Sequence, residues 1–166
     1  EKVPGLREVL ELAQGKIKLN IELKPADNGE ELARKTVALI EKYNMENDCV
    51  ITSFSSSALS AAKSCDENIR VGYILSAAYG DYYDMKNIDF FSVNAAFLSK
   101  RTIDAIHNSG KQVYAWTVNN KDSIKNLTNK GVDGVITDNP VLARETIYSR
   151  DTSETIVNMI RYVFNQ

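Results

Sequence analysis

A chain of 166 residues can form one domain with a sizeable hydrophobic core. Its composition, 43% hydrophobic and 25% charged, is ordinary for a globular protein, and its net charge of −2 argues against a nucleic-acid-binding surface. No apolar run approaches the roughly 20 residues that span a membrane, and no signal peptide is visible. Cys49 and Cys65 lack metal or redox spacing, so we expect both to be reduced, and the redox compartment stays undecided.

Predicted helices and strands alternate along the chain. Helices are expected over residues 4–13, from Asn28, over 55–64, around 98–106, around 124–127, from Pro140 and within 151–166. Between them lie runs rich in apolar, β-branched and aromatic residues. We predict these six runs as strands, over residues 17–24, 49–52, 70–75, 88–93, 112–118 and 134–137.

Helices separate nearly all of these strands, which predicts an α/β fold with a parallel sheet and crossover connections. Two architectures fit this pattern: an open doubly wound sheet, or part of an eight-stranded barrel. No glycine-rich dinucleotide-binding loop is present. The short last strand, followed by a helix capped by Asn139, favours the closing unit of a barrel.

The predicted strand over residues 17–24 carries the strongest functional pattern. Apolar and polar residues alternate along it, so Asn20, Glu22 and Lys24 share one face. Pro25 ends the strand and places Glu22 and Lys24 at its C-terminal end, where parallel α/β folds carry their active sites. A carboxylate and an ammonium on one face can act on a single ligand. The alternative is a surface Glu–Lys pair on an exposed strand.

Five segments form a recognisable series: residues 3–10 (VPGLREVL), 19–24 (LNIELK), 52–54 (TSF), 114–119 (YAWTVN) and 131–140 (GVDGVITDNP). Each is weak alone, but together they cover nearly the whole chain, and the series resembles the glycerophosphodiester phosphodiesterase family. The resemblance implies an incomplete TIM (β/α)8-type barrel with strands three to eight present. Residues 1–149 would form this C-terminal part of the barrel, and residues 150–166 a C-terminal helix.

The resemblance also implies roles for individual residues. In that family three carboxylates hold a divalent metal, and one of them, in a Glu-x-Lys element, corresponds to Glu22. Lys24 corresponds to a lysine beside the phosphate and Trp116 to an aromatic residue near the glycerol, while Phe54 is expected to line the same site. Carboxylate oxygens suit Mg²⁺ or Ca²⁺, and a metal with an ammonium can neutralise a phosphodiester. The alternative for Trp116 and Phe54 is ordinary packing.

The chain departs from the family pattern in its catalytic groups. The His-Arg pair on strand one, the Glu-x-Asp on strand two and the second histidine are all absent. The two histidines are the expected general acid and base. The one histidine of this chain, His107, is predicted in the helix before the 112–118 strand, toward the opposite face of the barrel. We therefore predict no catalytic residue in this chain and expect the chain alone to be inactive.

Two functional hypotheses follow. In the first, the parent protein hydrolyses glycerophosphodiesters to glycerol 3-phosphate and an alcohol with a divalent metal, and the missing histidines come from elsewhere. In the second, the chain is a truncated, non-catalytic barrel that serves as a binding or interaction module. Because the chain begins with Glu1, we interpret it as a piece of a longer polypeptide. The compartment stays open, and an upstream region could make the protein membrane-associated or extracellular.

Six strands cannot close an eight-stranded barrel, and an open barrel exposes two sheet edges and its apolar interior. We therefore expect the gap to be covered by a missing N-terminal segment or by a second copy of the chain. A second copy would pair with the strand that begins at Ile17 or with the one that ends at Thr137.

Overall fold

The computed structural model describes residues 2–25, 27–77 and 82–148. Its strands are β1 (Leu19–Leu23), β2 (Cys49–Ser53), β3 (Arg70–Leu75), β4 (Phe90–Asn94), β5 (Gln112–Trp116) and β6 (Gly134–Val135). Its helices are α1 (Leu6–Ala13), α2 (Gly29–Lys42), α3 (Ser56–Cys65), α4 (Lys100–Asn108) and α5 (Lys121–Lys130), and residues 140–148 are also helical. The helix predicted within 151–166 lies outside the described residues.

Local polar groups set the ends of the helices. Asn28, Ser55 and Asn139 each accept a hydrogen bond from the backbone N–H three residues later, at 3.1, 3.3 and 3.1 Å. These N-caps begin α2, α3 and the 140–148 helix where the sequence predicts them. Gly131 ends α5 in the left-handed conformation, with φ of 94°. Among the described residues, no helix has both the length and the apolar character needed to cross a membrane.

The six strands pair in sequence order, and every pair is parallel. A doubly wound sheet reverses its strand order at a switch point, and this sheet does not reverse. The doubly wound alternative is therefore excluded. An uninterrupted sequential order is that of a barrel wall.

The sheet curls strongly. Two strands separate β2 from β5, which would place them about 14 Å apart in a flat sheet. However, the ring of Phe54, just after β2, and the ring of Trp116, at the end of β5, have centroids 6.4 Å apart. The structure is thus a curled half-barrel of six parallel strands, in agreement with the predicted incomplete TIM-type barrel.

Residue parity separates the two faces of the sheet. The register pairs even-numbered residues with even-numbered residues across all six strands, for example Glu22 with Thr52 and Ser92 with Tyr114. Even-numbered side chains face the barrel interior. Odd-numbered ones, such as the fully buried Ile51 and Val113, pack against the helices in the main hydrophobic core.

Aromatic side chains close the N-terminal end of the interior. The rings of Phe90 and Tyr114 lie 4.6 Å apart between centroids, and Phe90 is fully buried. The Arg70 guanidinium lies 5.7 Å from the centre of the Phe90 ring and donates to the side-chain oxygen of Gln112. Gly72 makes room for this layer, because a Cβ there would lie 2.1 Å from the Phe90 ring.

Two aspartates join neighbouring strands at their N-terminal ends. Asp89, just before β4, accepts the N–H of Val71 at 2.7 Å and donates its own N–H to the Val71 carbonyl at 2.9 Å. Asp133, just before β6, makes the same two bonds with Val113, at 2.8 and 2.9 Å. Each aspartate therefore fixes the register of one strand pair.

Some strand boundaries differ from prediction. β1 begins at Leu19, whose N–H donates to the carbonyl of Asp48 at 2.7 Å, and not at residue 17. Ile17, which the alternation places on one face with Leu19, Ile21 and Leu23, is 65% exposed because it precedes the first pairing bond. β4 begins two residues later and ends one residue later than the predicted 88–93. β5 and β6 each end two residues before the ends predicted for 112–118 and 134–137.

Candidate active site

A cavity of about 520 Å³ lies inside the half-barrel, at the C-terminal ends of the strands. In parallel α/β barrels this end carries the chemistry. All six strands or the residues that directly follow them contribute to its lining. The lining residues are Asn20, Glu22, Lys24, Thr52, Phe54, Ile74, Ser92, Trp116, Thr117 and Ile136.

β1 and the residue after it supply the charged groups of this cavity. The Lys24 ammonium lies 3.6 Å from a carboxylate oxygen of Glu22, and the two side chains are 78% and 36% exposed. An ion pair this accessible adds little to stability, so both groups are available to a ligand. Within the described part of the chain, they are the charged residues that line the cavity. The predicted pair thus lies inside the barrel mouth and not on an outer surface.

Beside this pair, a hydrogen bond fixes the amide of Asn20. The buried hydroxyl of Thr52 donates to the Asn20 side-chain oxygen at 2.9 Å. This bond holds the Asn20 side chain against β2. Among the described residues, the Asn20 amide N–H groups make no hydrogen bond, so they can donate to a ligand in the cavity.

The ends of β1 and β2 are held together by Ser53. Its buried hydroxyl donates to the carbonyl of Leu23 at 2.8 Å and accepts the N–H of Ser55 at 3.0 Å. Lys24 follows Leu23, and Phe54 lies between the two serines. The positions of Lys24 and Phe54 are therefore coupled.

Trp116 and Phe54 form the aromatic wall of the cavity. The indole N–H of Trp116 donates to the carbonyl of Ser92 at 2.9 Å, which fixes the ring. Phe54 is 50% exposed and meets the indole edge to face, with an interplanar angle of 88°. The peptide bond between Trp116 and Thr117 is cis. Both predicted aromatic residues thus face the cavity, and neither is a fully buried core residue.

Polar side chains also tie together the loops after β5 and β6. The Asn119 amide donates to a carboxylate oxygen of Asp138 at 2.7 Å. Its carbonyl oxygen accepts the Asp138 N–H at 2.9 Å and the Thr137 hydroxyl at 3.1 Å. These bonds hold Thr137, predicted as the last residue of this strand, against the loop after β5. They also make the rim beside Trp116 a defined structure.

His107 lies far from this cavity, as expected. It belongs to α4, and its Nε2 lies 2.9 Å from the carboxylate of Asp133, the residue that precedes β6. That contact is at the N-terminal ends of the strands, opposite the cavity. His107 therefore has a structural partner and no access to a ligand bound beside Lys24.

The described residues do not by themselves fit a metal ion. They contain no group of three or more His, Cys, Asp or Glu side chains close enough to hold one. Glu22 is the one carboxylate that lines the cavity in this part of the chain. Cys49 is buried, Cys65 is exposed, and both are free thiols.

Sequence reasoning missed several lining residues, namely Asn20, Thr52, Ile74, Ser92, Thr117 and Ile136. A signal for most of them was present. Asn20 alternates with Glu22 and Lys24, and Thr52 alternates with Phe54 on the next strand. In a parallel sheet with this register, even-numbered residues of neighbouring strands lie on the same face. Extending the face of Glu22 and Lys24 to the next strand would therefore have identified Asn20 and Thr52 as lining residues.

The fold and site define a parallel α/β half-barrel with a charged and aromatic cavity at the C-terminal ends of its strands. The chain belongs to the glycerophosphoryl diester phosphodiesterase family, whose profile matches residues 1–142.

Individual relatives agree with this family. The chain is 26% identical to a glycerophosphodiester phosphodiesterase of Caldanaerobacter subterraneus subsp. tengcongensis, over 97% of this chain and 63% of that protein. It is 27% identical to a glycerophosphodiester phosphodiesterase of Bacillus altitudinis, over 83% of this chain and 60% of that protein. The chain thus spans less than two thirds of either relative.

Solved structures show the same fold. A glycerophosphodiester phosphodiesterase from Parabacteroides distasonis superposes with a TM-score of 0.83 at 21% identity, covering 91% of this chain and 66% of that one. An Oleispira antarctica phosphodiesterase, solved in complex with the product sn-glycerol-3-phosphate, superposes with a TM-score of 0.73 at 27% identity. That match covers 87% of this chain and 61% of the other.

Proposed function

We propose that this chain forms the phosphate- and glycerol-binding part of an enzyme that hydrolyses glycerophosphodiesters to glycerol 3-phosphate and an alcohol. The observation that carries the proposal is the convergence of Glu22, Lys24, Phe54 and Trp116 on one cavity in a member of this family. The Oleispira antarctica relative, solved with sn-glycerol-3-phosphate, supports a ligand of this kind.

The chemistry of the lining residues suits such a ligand. The Lys24 ammonium can bind phosphate oxygens, and the free N–H groups of Asn20 can donate to phosphate or hydroxyl oxygens. The Trp116 ring offers an apolar surface for the carbon atoms of glycerol. In this arrangement the glycerol lies inside the cavity, and the phosphate lies beside Lys24 at its mouth.

We further propose that Glu22 supplies one ligand of a divalent metal, Mg²⁺ or Ca²⁺. A phosphate bound beside Lys24 faces the Glu22 carboxylate 3.6 Å from the ammonium, and the two anions repel unless a cation lies between them. The described residues do not complete a metal site. The other ligands and the proton-transfer groups would therefore come from outside them, with these six strands numbered three to eight of a complete barrel.

Titration calorimetry of the complete protein with glycerol 3-phosphate, with and without Ca²⁺, tests this assignment. With Ca²⁺ present, Glu22→Gln should weaken binding. Without a divalent cation the same substitution should strengthen binding, because it removes the repulsion between the carboxylate and the phosphate. Glu8→Gln, which alters a surface carboxylate paired with Lys2, is the control. If Glu22→Gln has the same effect with and without Ca²⁺, the metal role of Glu22 is wrong.

The second candidate function is a non-catalytic binding module. It is favoured by one observation: no histidine lines the cavity within the described residues, and His107 is bonded to Asp133 at the opposite end. Hydrolysis of glycerophosphoethanolamine by the complete protein, assayed by release of glycerol 3-phosphate, distinguishes the two. Metal-dependent turnover would reject the module, whereas saturable binding without turnover would reject the enzyme.

A further inference from the structure

A second cavity adjoins the first on the outer side of Phe54. Its volume is about 470 Å³, and it is lined by Leu23, Lys24, Pro25, Phe54 and Ser55. Lys24 and Phe54 line both cavities. A ligand whose phosphate lies beside Lys24 can therefore extend in two directions, into the barrel or outward along this groove.

The chemistry of the two cavities differs. Asn20, Glu22 and Thr52 give the inner cavity several polar groups. In the outer groove the Ser55 hydroxyl already accepts the N–H of Ala58 as the N-cap of α3. Apart from Lys24 at the shared boundary, the outer groove thus offers mostly carbon surface.

Phe54 leaves much of that carbon surface in contact with water. The side chain is half-exposed, and its ring lies at 88° to the Trp116 ring, with the two centroids 6.4 Å apart. Covering an exposed aromatic ring with an apolar ligand releases water from both and is favourable. An alkyl chain fits this surface better than a charged or hydroxylated group does.

The walls of the groove are also fixed before any ligand binds. Ser53 bridges the two loops through its bonds to the Leu23 carbonyl and the Ser55 N–H. Pro25 packs closely on the start of α2, since a Cβ on Gly29 would lie 3.0 Å from the Pro25 side chain. Little ordering of the protein would therefore oppose binding.

We propose that this groove is a subsite for the alcohol part of the phosphodiester, and that it takes an alcohol with an apolar alkyl chain. The inference rests on the proposed function, because the phosphate beside Lys24 joins the two parts of the ligand. Glycerol has hydroxyl groups and occupies the inner cavity, where polar partners are available. The alkyl chain of the alcohol then lies on Phe54, Pro25 and Leu23.

Calorimetric titration of the full chain with three probes tests this subsite. The probes are glycerol 3-phosphate, glycerophosphoethanolamine and the n-hexyl ester of glycerol 3-phosphate, each in the presence of Ca²⁺. The hexyl diester should bind about tenfold more tightly than the ethanolamine diester, because several methylene groups leave water. Equal affinities for the two diesters would overturn the subsite.

Substitutions locate the effect. Phe54→Ala should reduce the preference for the hexyl diester to about twofold, and Phe54→Leu, which keeps an apolar side chain, should restore most of it. Leu12→Ala removes an apolar side chain that is 70% exposed elsewhere on the surface, and it should leave the preference intact. If Leu12→Ala lowers the preference as much as Phe54→Ala does, hexyl binding is non-specific and the subsite is wrong.

The same titrations separate this inference from the proposed function. If glycerol 3-phosphate binds but the hexyl group does not increase the affinity, the groove is not a subsite for the alcohol and the proposed function stands. If the hexyl diester binds in a Phe54-dependent way while glycerol 3-phosphate does not bind, the subsite assignment of the groove is retained. The proposal that the inner cavity binds glycerol is then wrong. If no probe binds, both are wrong.

Discussion

The indole N–H of Trp116 on β5 donates a 2.9 Å hydrogen bond to the carbonyl oxygen of Ser92 on β4. A side chain that faces the cavity is thereby attached to the backbone of the neighbouring strand. The ring plane is set by the fold, at 88° to the ring of Phe54, and does not depend on a ligand. The aromatic wall is therefore in place before anything binds.

Trp116→Phe should destabilise the fold by about 1–2 kcal/mol, because it removes this hydrogen bond and part of the buried ring surface. Urea unfolding followed by circular dichroism measures the change. As the comparison, Phe54→Leu changes a half-exposed side chain without a hydrogen bond and should lower the free energy of unfolding by less than about 1 kcal/mol. An unchanged unfolding midpoint for Trp116→Phe would mean that the bond to Ser92 contributes nothing.

Lys24→Met should weaken glycerol 3-phosphate binding by about 10- to 100-fold, the usual effect of losing a charge-assisted hydrogen bond. Stability should change little, since the side chain is 78% exposed. Lys35→Met is the matched control, because Lys35 is 72% exposed and also pairs with a glutamate, Glu31. Calorimetry gives both affinities, and equal losses in the two variants would reject a specific role for Lys24.

Gly72→Ala should destabilise the protein by about 3 kcal/mol or more, because the added methyl group overlaps the buried Phe90 ring, 2.1 Å away. Phe90→Leu in the same chain should relieve the overlap. The double variant should therefore lose less stability than the sum of the two single variants. Gly5→Ala, whose added carbon has its nearest neighbour at 3.7 Å, is the control. Additive losses in urea unfolding would show that the two positions do not interact.

The two thiols should react very differently. Burial, with smaller contributions from Asp48 and Glu46, raises the pKa of the Cys49 thiol from 9.0 to about 11, while Cys65 is exposed. Ellman's reagent at pH 8 should therefore label Cys65 rapidly and Cys49 only after unfolding. Cys65→Ser should abolish the fast phase. If both thiols of the native protein reacted rapidly with Ellman's reagent, the burial of Cys49 would be contradicted.

Cys49 also predicts a pH effect on stability. Because its pKa is raised in the folded state, the Cys49 thiol loses its proton at a lower pH in the unfolded chain than in the folded protein. The protonated thiol therefore adds to the free energy of unfolding below pH 9, and this stabilisation is lost as the pH rises toward 11. The loss should be at most about 3 kcal/mol. Tyrosines titrate in the same range, so the measurement is the difference between the wild type and Cys49→Ala. A constant difference from pH 8 to 11 would refute the prediction.

The open sheet predicts association. Among the described strands, β1 and β6 each pair with a single neighbour, and free edges of this kind invite pairing. We expect the purified chain to form dimers or larger species, or to unfold with low stability, unless a further segment covers the gap. Size-exclusion chromatography with light scattering tests this. A monomer that unfolds cooperatively, with no bound segment, would show that six strands are sufficient.

The sequence predicted the features that depend on local pattern. Alternation along LNIELK placed Glu22 and Lys24 on one face, and the N-caps Asn28 and Asn139 marked the starts of their helices. The strand order and the placement of the two charged residues in the cavity follow from these patterns together with the family resemblance.

Other features depend on partners that no local pattern specifies. Ile17 continues the alternation but is exposed, because β1 begins only where Leu19 meets Asp48. The need for glycine at position 72 arises from the ring of Phe90, on another strand. The Trp116–Ser92 bond also joins two strands, and the groove beside Phe54 arises where two loops come together.

The two aspartates that precede β4 and β6 have a consequence for how this fold tolerates insertions and deletions. Asp89 and Asp133 hold the same position relative to Val71 and Val113, although the described part of one crossover contains a short 3-10 helix at Tyr82–Asp84 and the other crossover contains α5. The alignment of each strand pair is thus set at the strand entrance and not by the length of the connection. Homologues could lengthen, shorten or replace either connection during evolution and still place the same side chains in the cavity.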